Sequence, residues 1–244
     1  MGVPYAEVIG DPVAHSKSPL IHHYWLTGLD LPGEYRRTRV RPGELAEFLR
    51  ERRADPDWRG CNVTVPHKEA ILAYLDRIDG DAAQIGAVNC VVPRPEGLVG
   101  YNSDIEGVVA ALNGVELAGA KAALVGAGGA ARAALASLTA CGVREVAIVA
   151  RNPEKADCLG PLAAQARLVV GSFDQCRTLF AEASVIINAS PLGMEGCPPM
   201  PNAVLAAVSR LPAATVFDMV YSPIETRFLA AAQGRRVNGL AMLV

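Results

Sequence analysis

The sequence predicts an α/β fold. Short β-type runs alternate with helix-type segments along its whole length, which argues for parallel sheets covered by helices and against an all-α or all-β arrangement. Near Lys121 the rhythm restarts as an apolar run, a glycine-rich turn, an alanine-rich stretch and a second run, the order of a mononucleotide-binding βαβ unit. With 51% hydrophobic and 20% charged residues, the chain has the apolar mass for such a core and is not a disordered one.

Taken in order, strands are expected near residues 6–9, 34–40, 60–63 and 87–92, with helices starting near Ser18, Pro42 and Pro66. A helix at 105–112 bridges to the second half. There, strands at 122–125 and 145–150 flank the glycine-rich turn, and further strands follow at 168–170, 185–188 and 215–218. The expected domains are therefore residues 1–104 and 105–238, with 239–244 starting a return to the first. The Pro- and Gly-rich stretch 191–201 reads as a loop over a site.

The second half carries the clearest motif. Gly126-Ala127-Gly128-Gly129-Ala130-Ala131 follows a strand and opens a helix, which is the required context for a dinucleotide-binding fingerprint. Gly126 permits the tight turn, Gly128 lets the backbone approach a pyrophosphate, and Ala131 lets helix and strand pack closely; the helix N-terminus supplies amides and partial positive charge. Glycines that merely accommodate a turn would give the same local pattern, so the end of the next strand discriminates. NAD binders usually carry Asp or Glu there, whereas this chain has Ala150-Arg151-Asn152. A guanidinium suits a ribose 2′-phosphate through charge-assisted bonds, and Lys155 could add a second cation, so NADP is expected over NAD. The competing reading of Arg151 is a solvated surface arginine.

In the first half, Pro66-His67-Lys68-Glu69 stands between the strand at 60–63 and a helix whose apolar positions Ile71, Leu72, Leu75 and Ile78 share one face. Lys68 thus falls in a first helical turn, where the macrodipole disfavours a cation by a few tenths to about 1 kcal/mol, a placement that suggests function. Asp104 precedes the bridging helix and is expected to cap it, which is compatible with catalysis.

These motifs, in this order, resemble the shikimate dehydrogenase family over practically the whole chain. Gly10-Asp11-Pro12-Val13-Ala14-His15-Ser16-Lys17-Ser18-Pro19-Leu20 is similar to the family's N-terminal signature, and the resemblance implies that Ser16 and Ser18 bind a substrate carboxylate. Asn62-Val63-Thr64-Val65-Pro66-His67-Lys68 resembles the catalytic-lysine motif, implying Asn62 and Thr64 as substrate contacts and Lys68 as the catalytic residue. Gly86-Ala87-Val88-Asn89 and Asn102-Ser103-Asp104 resemble the next two motifs, implying that Asn89 and Asp104 bind ring hydroxyls and that Asp104 pairs with Lys68. Ala150-Arg151-Asn152 keeps the arginine of the family's Asn-Arg-Thr motif and departs from it on both sides. The segments 188–194 and 218–223 resemble those that flank the nicotinamide, which implies Ser190 and Met219 as cofactor contacts and Tyr221 as reaching substrate; Gly239 opens a segment resembling the turn into a closing helix and joins the cofactor set. The sequence ends at Val244, short of a glutamine and a final helix that the resemblance associates with substrate contact and with packing on the first domain. Weaker substrate binding and a less stable first domain are the corresponding expectations.

The implied architecture is an N-terminal α/β substrate domain and a Rossmann-type NADP-binding domain with a cleft between them. The implied reaction is the NADP-dependent interconversion of 3-dehydroshikimate and shikimate, in which Lys68 stabilises the forming alkoxide and Asp104 orients substrate and lysine. Two rivals stand beside it. A quinate/shikimate dehydrogenase of relaxed specificity is disfavoured by Ser18 and Arg151, since the resemblance associates Thr and an acidic residue near those positions with quinate and NAD. A non-catalytic NADP- or metabolite-binding relative is disfavoured by the retention of Lys68 and Asp104.

The balance of 23 basic against 25 acidic residues gives no electrostatic reason to expect nucleic acid or an anionic membrane as partner, so small molecules are expected. The six cysteines show no zinc spacing and read as reduced thiols, no metal is expected, and His15, His22, His23 and His67 are assigned to capping, packing or surface. Without an N-terminal basic segment leading into an apolar one, the protein is expected in the cytoplasm, as monomer or homodimer.

Overall fold

In the computed structural model, which describes residues 2–243, the chain divides into one unit ending at Ser103 and a second beginning at Asp104. The first contains β1 (Tyr5–Gly10), α1 (Ser18–Gly28), β2 (Glu34–Arg39), α2 (Leu45–Arg53), β3 (Trp58–Val63), α3 (His67–Ala70), β4 (Arg77–Ile78), α4 (Gly80–Ile85), β5 (Cys90–Arg94) and β6 (Gly97–Tyr101). Its sheet has the order β2-β1-β3-β5-β6-β4. The expected parallel pairing is present but the sheet is mixed: β1 runs parallel to β2 and β3, and β4 to β6, while β5 is antiparallel to both β3 and β6. Only Pro95 and Glu96 separate β5 from β6, and so short a connection can join only antiparallel neighbours.

Three expected elements differ. The strand at 87–92 starts only at Cys90, because the preceding backbone bonds elsewhere: Val88 N–H donates to the Lys68 carbonyl (2.8 Å) and Asn89 N–H to that of Tyr101 (3.0 Å). The helix at Pro42 begins at Leu45, since Pro42 and Gly43 form a turn in which Gly43 takes φ +94° and the Glu44 side chain accepts from Arg41 N–H at 2.8 Å. The helix after Pro66 is a single turn, α3, continued by a 3₁₀ turn over Ile71–Tyr74, and Leu75 is extended. Ile71, Leu72, Leu75 and Ile78 therefore share no helix face, although all reach one core with Phe48 and Leu49. A lone turn also has no separated ends, so the dipole argument for Lys68 lapses. Glu7, fully buried on β1, ties α2 to the sheet by a 2.7 Å ion pair with Arg52 and accepts from the Thr38 hydroxyl.

The second unit runs α5 (Asp104–Ala111), β7 (Lys121–Val125), α6 (Gly129–Ala140), β8 (Glu145–Val149), α7 (Pro153–Asp157), β9 (Arg167–Gly171), α8 (Cys176–Leu179), β10 (Val185–Asn188), α9 (Asn202–Val208), β11 (Thr215–Asp218), α10 (Arg227–Ala230) and β12 (Arg236–Asn238). All its strands pair in parallel, in the order β12-β11-β10-β7-β8-β9. Strands covered on both faces read as unbroken apolar runs, as in the wholly buried Ala122, Ala123, Leu124 and Val125 of β7. The strand order reverses between β7 and β10, and in open α/β sheets that switch point is where ligands bind, outside the carboxyl ends of the strands.

Asp104 is the first residue of α5 and lies in its first turn, one step inside the capping position expected of it. Ser137 on α6 donates to the Ile105 carbonyl at 3.0 Å, which fixes α5 on α6. The C-terminal 3₁₀ turn Gly239–Met242 packs on α5 as well: a Cβ on Gly107 would stand 3.2 Å from that of Met242. The segment from Gly239 is thus grouped with the second unit, while Val244 lies outside the described residues. Residues 191–201 form an irregular connection between β10 and α9. Among the described residues, no helix is long and apolar enough to cross a membrane, and all six cysteines are free thiols.

Candidate active site

In the first unit, the polar residues of interest gather at the carboxyl ends of β1 and β3, with β2 beside them. Two backbone bonds hold the following loops together: Thr64 N–H donates to Ile9 and Asp11 N–H to Val65, each at 2.9 Å. Ser16 is buried and its carbonyl accepts two bonds from the Arg37 guanidinium, at 2.9 and 2.7 Å. Its hydroxyl donates to that of Ser18 at 3.2 Å and accepts from Ser18 N–H at 3.3 Å. Two adjacent hydroxyls, each able to redirect its proton, form a site that can present donors to a carboxylate.

At the end of β3, Asn62 Oδ1 accepts from the Tyr35 hydroxyl, and Asn62 Nδ2 donates to the Asn89 carbonyl at 3.4 Å. Asn89 in turn donates to Ser103 Oγ (3.1 Å) and accepts from Ser103 N–H (3.0 Å). Asn62 and Asn89 are thereby joined in one network. Lys68 is half-buried in α3, whose start is fixed by His67 N–H donating to the Thr64 carbonyl at 3.0 Å. The buried His67 ring, with its hydrogen on Nε2, donates to the Val40 carbonyl at 2.6 Å, a packing role.

Tyr35 and Arg37, which sequence reasoning missed, orient Asn62 and Ser16 from β2. The available signal was an aromatic residue set among the arginines of a strand otherwise facing solvent. Tyr35 is buried, its ring stacks on His22 at 3.8 Å, and burial pushes its phenol well above the usual range, so it stays a donor. Burial likewise lowers the His22 imidazole, whose Nδ1 meets the Ser18 carbonyl at 2.9 Å.

In the second unit, the glycine-rich turn crosses the switch point. Gly126 takes φ +115°, and a Cβ there would stand 3.0 Å from both the Ala189 carbonyl and Ser190 Cβ, so a side chain would be strained and crowded. Gly128 caps α6 without a side chain in the way, Gly129 and Ala130 open the helix, and Ala127 and Ala131 are buried beneath. The first-turn amides of α6, a twelve-residue helix, have no carbonyl one turn back to bond and carry its positive end. Arg151 stands exposed just beyond β8. Asn152 caps α7, accepting from Lys155 N–H at 3.4 Å, so its side chain has a structural task; Lys155 is exposed on α7.

The ends of β10 and β11 are knotted together by buried polar groups. Asn188 Oδ1 accepts from Ser190 N–H (3.1 Å) and Ser190 Oγ (2.6 Å), while Asn188 Nδ2 donates to the Leu192 carbonyl (3.1 Å) and to Asp218 Oδ1 (2.9 Å). Asp218 also accepts from Val220 N–H at 3.0 Å and the Thr226 hydroxyl at 2.5 Å. Burial pushes its carboxyl up to about 6, against the lowering effect of these bonds. Met219 N–H donates to the Asn188 carbonyl at 3.0 Å, and Gly239 lies so close beneath that a Cβ would stand 2.2 Å from the Met219 carbonyl. Tyr221 is half-buried just beyond. Gly126, Ser190, Met219 and Gly239 thus line the carboxyl ends of β7, β10, β11 and β12. Asn188, Asp218 and Thr226 had no role assigned from sequence, although a polar residue closing an unbroken apolar run was a usable signal.

Among the described residues, no three His, Cys, Asp or Glu side chains are grouped to hold a metal ion. The arrangement gathers hydroxyl and carboxamide groups that can bind a small polar molecule in one unit and a glycine-rich cradle of helix amides in the other. Residues 8–91 match the shikimate dehydrogenase substrate binding domain, and residues 109–192 match shikimate / quinate 5-dehydrogenase. A shikimate dehydrogenase (NADP(+)) of Sphingopyxis alaskensis is 46% identical over 99% of this chain and 87% of its own length. A crystal structure of a shikimate dehydrogenase in complex with NADP+ superposes with a TM-score of 0.85 at 31% identity, over 99% of this chain and 86% of that one. The Thermus thermophilus enzyme, solved with shikimate, gives 0.80 at 36% identity over 98% and 88%. Agreement at this identity over nearly the full length leaves one assignment: the chain belongs to the shikimate dehydrogenase family.

Proposed function

We propose that the protein catalyses the NADP-dependent, reversible reduction of 3-dehydroshikimate to shikimate. The observation that carries this is the pairing of two motif sets in one chain, hydroxyls and carboxamides at the carboxyl ends of β1 and β3 and a glycine cradle at the switch point of the second sheet. The full-length likeness to NADP-dependent relatives supports it.

The residues fit the cofactor. The first-turn amides of α6 and the backbone at Gly126, Ala127, Gly128, Gly129 and Ala130 would hold the pyrophosphate, Arg151 with Asn152 and Lys155 the adenosine 2′-phosphate, and Ser190, Met219 and Gly239 the nicotinamide end. When bound, NADPH supplies the hydride that turns the C3 carbonyl into a hydroxyl. Lys68 stabilises the negative charge developing on that oxygen and delivers the proton that completes the alcohol. Asp104 orients the ring and the lysine. Ser16 and Ser18 bind the substrate carboxylate, while Asn62, Thr64, Asn89 and Tyr221 bind its hydroxyls and fix the reacting carbon. The enzyme acts in the cytoplasm on small molecules, as monomer or homodimer.

The test is reduction of NADP+ with shikimate as substrate, followed by nicotinamide absorbance, for the protein and a Lys68→Ala variant, with quinate and NAD+ alongside. Shikimate-dependent turnover that collapses in Lys68→Ala supports the reading. Binding of NADPH without turnover of shikimate would sink it and favour a binding or altered-substrate role.

A further inference from the structure

Beyond the residues assigned above, the geometry points to Asp218 and Asn188 as positioning residues: as a buried carboxylate, Asp218 acts through Asn188 to hold together the two segments that carry Ser190, Met219 and Tyr221. The inference rests on the proposed function in one respect, that these segments flank the nicotinamide.

The wiring is economical. Asn188 and Asp218 are both fully buried and pair across adjacent strands, β10 and β11. Asn188 spends its oxygen on Ser190 and its two amide hydrogens on Leu192 and Asp218; Asp218 spends one oxygen on Asn188 and Val220 and the other on Thr226. A shift at either loop is therefore felt at the other. Every partner of Asp218 is a donor, an arrangement that favours a carboxylate, whose charge-assisted bonds are roughly twice as strong as neutral ones. A protonated Asp218 would need an acceptor. The Thr226 hydroxyl could serve only by reversing its bond while it still accepts from Leu229 N–H at 3.2 Å.

The carboxylate nevertheless carries a burial cost that raises its titration to about 6. Charged residues on the elements packed around it are engaged elsewhere: Arg227 of α10 donates to Asn202, and Arg236 of β12 pairs with Glu225 at 3.2 Å. Glu195, in the loop after β10, accepts from Ser222. Among the described residues, burial against three hydrogen bonds thus sets the state of this group.

The experiment measures NADPH affinity by nicotinamide fluorescence across pH 5 to about pH 8 for the protein, Asp218→Asn and Thr226→Val. The cofactor's 2′-phosphate itself titrates at about 6, so the readout is the ratio of variant to wild-type Kd, in which that contribution cancels. Asp218→Asn imitates the protonated group. Its ratio should be near one at low pH and rise to about tenfold above the titration, the loss of roughly one strong hydrogen bond. Thr226→Val removes a donor to the carboxylate, so its ratio should peak between the wild-type midpoint and a higher one. Ratios that do not vary with pH would mean that the cluster is merely structural and would overturn the inference. If Asp218→Asn does not fold, the Thr226→Val profile decides alone. Absence of NADPH binding by the wild-type protein would instead sink the functional reading on which the inference stands.

Discussion

Replacing Tyr35 by Phe removes one hydroxyl and little else. The ring that stacks on His22 remains, as does the backbone bond from Tyr35 N–H to His23 Nε2 at 3.3 Å. What is lost is the donor to Asn62 Oδ1, leaving the half-buried carboxamide, among the described residues, with its 3.4 Å bond to the Asn89 carbonyl. A neutral hydrogen bond contributes about 1 kcal/mol net, and about 1–3 kcal/mol is at stake when a buried partner is left unsatisfied. Because Asn62 keeps partial access to water, the lower end applies, which translates to about five- to tenfold in kcat/KM for shikimate. The effect should appear mainly in KM for shikimate, with KM for NADP+ unchanged. The decisive assay is a double-mutant cycle on shikimate-dependent NADP+ reduction: if Tyr35 acts by orienting Asn62, then Tyr35→Phe adds nothing in an Asn62→Ala background. An undiminished Tyr35→Phe effect in that background, or an unchanged KM when Asn62→Ala alone raises it, would refute the reasoning.

Other outcomes follow from the same structure. Arg151→Ala should raise KM for NADP+ about tenfold, the lower range for losing a charge-assisted bond at an exposed residue, and leave KM for NAD+ alone; equal effects on both cofactors would show that the guanidinium reads no 2′-phosphate. Gly126→Ala must place a Cβ at φ +115° and 3.0 Å from the Ala189 carbonyl, which should cost about 1–3 kcal/mol in urea unfolding and weaken NADPH binding as well. Asp218 titrates at about 6 when folded, against 3.8 as its ordinary value. A raised carboxyl contributes its stability at low pH and loses it as pH climbs between those values, so the protein should lose on the order of 3 kcal/mol from this group over that span. Asp218→Asn lacks the titration and should gain stability relative to wild type as pH rises; a constant difference in urea midpoint from pH 4 to about pH 7 would contradict the assignment.

The second unit was the more legible one because its strands are buried on both faces. Residues 122–125, 185–187 and 216–217 are apolar runs, and the turn between β7 and α6 announces itself by glycine at a position where the structure crowds out a Cβ. The first unit was harder to read. β5 contains Pro93 and ends in Arg94, β4 has only Arg77 and Ile78, and α3 gives way after one turn so that Leu75 can extend toward β4. None of these carries a period long enough to detect. For the candidate site, the segments were visible but their supports were not. Tyr35 sits among Arg36 and Arg37 in a strand whose pattern looks solvated, and its burial is decided by what α1 and β1 lay over it. Asn188, Asp218 and Thr226 are separated by up to 38 residues of sequence and become partners only through the pairing of β10 with β11.

The two sheets differ in strand direction and in what covers them, yet each presents its proposed contacts by one device. In the first, β2 and β3 flank β1, so the connections leave β1 and β3 toward opposite sides, and the loops carrying Ser16, Ser18, Asn62 and Thr64 open at their carboxyl ends. In the second, the reversal between β7 and β10 brings Gly126 against Ala189 and Ser190. Parallel strands aim every carboxyl end at the same edge, and the loop after each strand begins where its last side chain is still held by pairing. That is why Asn62, Asn188 and Asp218, each on the last or next-to-last position of its strand, can be both rigid and close to the loops that carry the proposed contacts. A polar residue there is tolerated by the core because its partners come from adjacent strand ends, as Asn188 and Asp218 illustrate at 2.9 Å. The same constraint explains why changes at Tyr35 or Thr226, neither of which touches a proposed ligand, are expected to register in substrate and cofactor affinity.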